Sequence, residues 1–119
     1  VHFITDADEV QPLLHSFDIA VHTAKSESGP LVLIEYLAQN LPFVTYNTGE
    51  TVLQLKDALP WCIANSFEAN EWISKIENIL SADQQVLAHQ LQTVFETVFS
   101  AEAYYSQCLG IYEKCLATS

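Results

Sequence analysis

Apolar positions in the first 65 residues come in short blocks, separated by polar or glycine- and proline-bearing stretches. Residues 1–4 (Val-His-Phe-Ile) read as a short buried strand. Thr5-Asp6-Ala7-Asp8 supplies polar caps, and Val10, Leu13, Leu14 and Phe17 then recur at helical spacing. Residues 18–22 form an apolar run long enough for a strand and too short for a helix, and residues 23–27 read as a loop. Gly29-Pro30 predicts a helix start, because proline is pre-set for the first helical position. The helix over 31–39 is apolar on nearly every side, which predicts burial on both flanks. Asn40 can take the left-handed conformation that ends it, and Pro42 stops it. A third strand over 42–46, a turn over 47–50, a short helix over 51–57 and a fourth strand over 61–64 follow.

Beyond residue 65 the pattern is helical throughout. Trp72, Ile73, Ile76, Ile79 and Leu80 form one stripe. Ser81 with Gln84 reads as a capping box for the next helix, whose stripe is Leu87, Leu91, Val94, Phe95 and Val98. Ser100 caps a last helix that turns Tyr104, Cys108, Ile111, Tyr112 and Cys115 inward. Strands alternating with helices predict an α/β fold: a partial Rossmann-like parallel sheet of about three to four strands flanked by helices, with a helical C-terminal region. The expected division is one unit over 1–119, with βα units in 1–65 and the helices of the same domain in 66–119.

Composition narrows the function. The formal charge is −11, from 15 acidic residues against 4 lysines and no arginine. Such a surface repels phosphate backbones and anionic lipid heads, so no nucleic-acid partner is expected. No apolar run reaches the ~20 residues of a membrane span. The chain lacks an initiator Met, which predicts a piece of a longer protein. Cys62, Cys108 and Cys115 are odd in number and form no CxxC, which fits reduced thiols rather than zinc or disulfides. The spacing of Cys108 and Cys115 predicts one buried helix face. Trp61 and Trp72 read as core anchors. His22 ends a strand near the candidate site and reads as a packed or solvent-edge side chain in preference to a ligand contact, while His2, His15 and His89 look incidental.

The stretch from Lys25 to Glu35 holds two carboxylates, Glu27 and Glu35, separated by seven residues. Glu27 lies in a loop beyond a strand end, where open α/β sheets bind ligands. The helix mouth from Ser28 to Leu31 offers unpaired amides and a dipole that favours an anion such as phosphate. Glu35 is embedded in Leu-Val-Leu-Ile-Glu-Tyr-Leu-Ala, where burial without partners costs several kcal/mol, roughly. Ribose hydroxyls would satisfy it. A glutamate at the solvent edge of a buried helix is the plainer alternative, and spacing alone does not separate the two.

In order along the chain stand Phe17-Asp-Ile-Ala-Val-His22, Glu27-Ser-Gly-Pro-Leu-Val-Leu-Ile-Glu35, Ala38-Gln-Asn-Leu-Pro42 and Thr48-Gly-Glu50. This ordered set resembles the retaining glycosyltransferases of the GT-B fold, the group 1 family that includes glycogen and sucrose synthase-like enzymes. With the closing helix, the resemblance extends over essentially the whole chain. It implies the C-terminal half of a donor-binding domain, with strand order 3-2-1-4-5-6 entered at the third strand. It assigns catalytic contact with the donor sugar to Glu27 and ribose binding to Glu35. Diphosphate binding falls to the amides after Glu27, the stretch Ser28, Gly29, Pro30, Leu31 and Val32. Thr48 and Gly49 take the loop facing the inter-domain cleft. Ala24, Tyr36 and Asn40 depart from the common Ser, Ala and Gly. No metal or other cofactor is implied; the partners are a nucleotide-sugar such as a UDP- or GDP-sugar and an N-terminal domain of the same protein.

The resemblance further implies transfer to a glycan or lipid-linked acceptor in polysaccharide biosynthesis. It also implies a cytoplasmic protein, peripheral to the inner membrane at full length. Its cationic diphosphate ligands lie outside this sequence, so the isolated chain is expected to be inactive. A non-catalytic α/β interaction module and part of a sugar-nucleotide epimerase are the alternatives. With two strands absent, residues 1–4 are expected either to re-pair beside residues 18–22 or to leave an open edge for self-association.

Overall fold

The computed structural model describes residues 1–5 and 8–118. The expected polar caps at Asp6 and Ala7 lie outside the described residues. The elements are α1 (Gln11–Leu14), β1 (Ala20–His22), α2 (Leu31–Ala38), β2 (Phe43–Tyr46) and α3 (Glu50–Leu55). A 3₁₀ turn (Pro60–Cys62) then leads into β3 (Ile63–Ala64), α4 (Ala69–Ser81) and α5 (Gln84–Val94). A π-helical turn (Phe95–Phe99) and α6 (Ala101–Ala117) complete the order. The strands form one parallel sheet in the order β1-β2-β3, with Ala20 opposite Phe43, His22 opposite Thr45, and Thr45 opposite Ile63. The fold is therefore α/β, a partial Rossmann-like layer with helices around a three-stranded sheet.

Strand side chains alternate between faces, and that period builds two cores. Phe43 and Ile63 point into one, with Leu33 and Leu37 of α2, Val52 and Leu55 of α3, and Leu91 and Val94 of α5. Val44 and Ala64 point into the other, with Trp72 and Ile79 of α4 and Leu87 of α5. Cys62 is buried in the first core and donates its thiol to the Leu59 carbonyl oxygen at 3.0 Å. Burial pushes that thiol up to about 12.

Several expectations are corrected. Residues 1–4 form no strand; Val1, Phe3 and Ile4 are exposed, and nothing re-pairs them beside β1. A short parallel strand is held by its ladder and by apolar cover on both faces, and these residues have neither. Residues 60–62 form a 3₁₀ turn with Pro60 at its start and Cys62 N donating to the Leu59 carbonyl oxygen at 3.2 Å, which leaves only Ile63–Ala64 as strand. Pro30 sits just outside α2, with ψ 108°, rather than at its first helical position. Burial of α2 is one-sided: Leu33 and Leu37 are fully buried, whereas Leu31 is exposed. In α4 only part of the stripe is inside, and Ile73 and Leu80 are exposed. Asp83, not Ser81, caps α5, accepting from Gln85 N at 2.9 Å and Val86 N at 3.4 Å. Trp61 is only partly buried and donates Nε1–H to Gln90 Oε1 at 2.9 Å.

Asn40 does adopt the left-handed conformation (φ 54°), and Ser100 does cap α6 through Ala103 N. The inward face of α6 is the largest miss. Tyr104, Ile111, Tyr112 and Cys115 are exposed and Cys108 is only half-buried. Periodicity marks a face, but no residue of α6 is buried; it packs on the π-helical turn, where Gln107 Nε2 donates to the Val98 carbonyl oxygen. The radius of gyration is 16.1 Å, against about 13.5 Å for a compact chain of this length.

Two local constraints hold the carboxyl end of the sheet. In the first, Gly49 takes φ 88°, ψ 160°, backbone open essentially to glycine alone. A Cβ there would stand 2.9 Å from Pro30 Cδ, 3.1 Å from the Glu27 carbonyl oxygen and 3.4 Å from that of Ser28. The turn after β2 thus rests directly on the loop before α2, and Glu50 N donates to the Ser28 carbonyl oxygen at 2.9 Å. In the second, the Glu71 carboxylate accepts from the Ser66 hydroxyl and from the backbone N–H groups of Asn65 and Ser66. Trp72 Nε1 donates to the Ser66 carbonyl oxygen at 2.8 Å. Phe67 packs between Tyr46 and Trp72, at ring-centroid distances of 4.3 and 5.9 Å.

Gly49→Ala is expected to cost about 2 kcal/mol or more, through strain and contact together, read as a lower urea midpoint with an unchanged slope. An unchanged midpoint would show that the two segments are not in contact. For Glu71, the bond from the Ser66 hydroxyl, then that from Asn65 N, holds the carboxyl below the ordinary glutamate range. Its stabilisation is present above the unfolded-chain pKa and is lost as pH falls through the lower folded value. Glu71→Gln should therefore flatten the acid limb of the stability–pH curve in that window; superimposable limbs for the two proteins would refute the clasp.

Candidate functional site

The carboxyl ends of all three strands open on one edge of the molecule. His22 ends β1, the segment from Tyr46 through Thr48 ends β2, and Asn65 with Ser66 follows β3. Asn47 Nδ2 donates to Asn65 Oδ1 at 3.0 Å, which ties the second and third ends together. Glu27 N donates to Thr48 Oγ1 at 3.3 Å, which ties the loop before α2 to the turn after β2.

Four of the expected site residues come together. Glu27, Ser28, Thr48 and Gly49 line an open hollow of about 450 Å³, joined by Asn47, Glu50 and Leu53. Gly29 and Leu31 instead line a neighbouring, more apolar groove of about 600 Å³ between α3 and the start of α6, with Ile34, Phe99 and Tyr104. Pro30 is buried and Val32 half-buried at the start of α2. The Pro30 carbonyl oxygen accepts from Leu33 N at 3.3 Å, so the first free amides of the helix are those of Leu31 and Val32.

Glu35 lies about 7.5 Å further along α2 than Pro30, by helical rise, and lines neither hollow. It is half-buried rather than sunk. Burial first, and then the Glu35 charge beside it, pushes the Tyr36 phenol up. The Tyr36 ring packs tilted on Phe43 at 5.6 Å, which accounts for an aromatic at this helix position.

Three groups at this edge gain a role that the sequence did not assign them: Glu50 and His22 stood near the site without one, and Thr45 was not singled out. Glu50 brings a second carboxylate to the hollow beside Glu27. Thr45 is fully buried, with its hydroxyl on the floor of the edge. His22 Nδ1 lies 3.2 Å from Thr45 Oγ1, and Nε2 lies 3.7 Å from Glu27 Oε1. Period-2 alternation could have found the last pair, since residues ending adjacent parallel strands on one face are cross-strand neighbours. The hollow is acidic, and Lys25 is the nearby cation in sequence, so a bound anion would depend on helix amides for much of its stabilisation. Among the described residues no cluster of three or more metal-ligating side chains occurs, and no helix is long and apolar enough to cross a membrane.

The family model described as glycosyl transferases group 1 matches residues 1–93. The match takes in the sheet, α1 to α4 and nearly all of α5; it stops short of the π-helical turn and α6, so it does not extend over the whole chain. Comparisons with curated proteins and with solved structures found no match. The matched segment contains the whole strand-end edge and its paired loops, and on that basis the chain belongs to the group 1 glycosyl transferases.

Proposed function

We propose that this chain is the donor-binding part, the C-terminal half of the nucleotide-sugar domain, of a retaining GT-B glycosyltransferase. The observation that supports this best is the convergence of Glu27, Ser28, Thr48 and Gly49 on one hollow at the carboxyl edge of a parallel sheet. In this reading a nucleoside diphosphate-sugar lies along that edge, with its diphosphate at the amides of Leu31 and Val32. The donor sugar meets Glu27, and the ribose hydroxyls reach Glu35. Helix amides meet charge that grows on the leaving diphosphate without reorganising, which is how such donors lower a barrier.

Two carboxylates at the hollow oppose that same charge. Cations supplied from outside these residues would then be required, so the isolated chain binds donor weakly and transfers nothing. A cytoplasmic enzyme of polysaccharide biosynthesis, acting on a glycan or lipid-linked acceptor, is the matching cellular role. No metal or cofactor enters this reading. A non-catalytic binding module is the second reading; the acidic hollow favours it, because a relict site need not hold an anion.

Titration of UDP and GDP onto the ¹⁵N-labelled chain tests the assignment. Amide shifts are expected at Glu27, Thr48, Gly49 and Leu31 to Glu35, and Glu35→Ala should weaken binding about tenfold, the loss of one charged hydrogen bond. Equal affinity of the two proteins, or shifts confined to other faces, would count against the site.

Self-association is the partner prediction. β1 is paired only with β2 among the described residues, and Val21 on it is exposed. Free sheet edges recruit strands. Light scattering over a concentration series should show mass rising above 13.3 kDa; a constant monomer mass would end the idea.

A further inference from the structure

The Thr45 hydroxyl has one proton and two contacts. Its oxygen lies 3.3 Å from the Tyr46 carbonyl oxygen and 3.2 Å from His22 Nδ1. A carbonyl oxygen only accepts, so the Thr45 proton goes to Tyr46. For both contacts to be hydrogen bonds, the oxygen then receives a proton from the ring, which makes Nδ1 the donor. That assignment leaves Nε2 as the ring atom that changes state. It points at Glu27 Oε1 from 3.7 Å. With Nε2 bare, a lone pair faces a carboxylate and the contact repels. With Nε2 protonated, the imidazolium is held at one end by Thr45 and attracts Glu27 at the other.

We propose that His22 is a positioning residue for Glu27, holding its carboxylate over the hollow when the ring is doubly protonated and releasing it when Nε2 loses its proton. The backbone of Glu27 is tied separately, through its N–H to Thr48 Oγ1. Only the side chain is therefore switched. Thr45 has no exposed surface and the His22 side chain is 14 % exposed, so the ring has a fixed seat, whereas the Glu27 side chain is 36 % exposed and free to turn. The other charged or titratable groups around this edge are Lys25 in the same loop, Tyr46 on β2, Glu50 at the start of α3, Lys56 and Asp57 after α3, and Glu71 on α4, which holds Asn65 and Ser66; Glu35 lies further along α2. The ion pair of His22 among the described residues is the one with Glu27.

This inference rests on the proposed function only in treating Glu27 as a site residue. Its test uses no donor, so failure of donor binding leaves it standing. Ring ¹⁵N and Glu27 ¹³Cδ resonances of the labelled chain are followed against pH. The neutral ring is expected to hold its proton on Nδ1, and the Glu27 carboxyl signal should show a second inflection coinciding with ring titration. His22→Gln should abolish that inflection while near-ultraviolet dichroism stays native. Thr45→Ser should keep the Nδ1–H form, and Thr45→Val should shift the neutral ring mainly to Nε2–H. A wild-type neutral ring protonated on Nε2 overturns the proposal, and so does a Glu27 signal indifferent to the ring.

Discussion

Phe43, Val44 and Thr45 in the middle strand have no exposed surface at all. Burying large apolar side chains contributes roughly 1.5–3 kcal/mol each, and here successive residues commit to opposite layers. Phe43 joins the core of α2, α3 and α5, and Val44 joins the core of α4 and α5. The strand cannot slip by one residue without moving both sets of side chains to the wrong face. Thr45 is where this constraint meets chemistry. It occupies a fully enclosed strand position yet needs hydrogen-bond partners, and it finds them in its neighbour's carbonyl and in His22 on the adjacent strand.

The edge above Thr45 is organised by backbone contact more than by charge. The turn at Gly49 lies so close to Glu27 and Ser28 that no side chain fits between them. This fixes the spacing of the Glu27 loop from the Thr48 turn without any ion pair. The electrostatics are less favourable for an anion: carboxylates from both sides meet at the hollow, and the chain is strongly acidic overall. A fixed strand-end hollow and a negative field coexist here. Under the proposed function, an anionic ligand there would need positive charge from outside the described residues.

Much of this was legible in the residues. The alternation of short apolar blocks with helical stripes carried the α/β class. Asn40 and Ser100 could be read from the backbone preferences of their side chains, and Glu27, Thr48 and Gly49 from their order along the chain. What escaped had a common cause: each depended on something non-local. Residues 1–4 are apolar enough for a strand but find no ladder. The stripe of α6 has helical periodicity but no layer to cover it. Asp83 outcompetes Ser81 because α4 runs on through Ser81, which leaves its hydroxyl bonded back to the Asn78 carbonyl oxygen. Glu35 looks enclosed in one dimension, yet the α2 flank that bears it is only half covered.

The last helix has a thermodynamic consequence. Its 17 residues extend about 25 Å by helical rise, and none is buried. An isolated helix of this length is marginal in water, and Gly110 in its middle is a weak helix former with open space where a side chain would stand. Opening its far half would uncover no buried residue, so its amides should trade protons with solvent orders of magnitude faster than those of β2. The molecule is in that sense two-tiered: a cooperative sheet-and-helix body, and a distal rod whose melting registers hardly at all in the global stability.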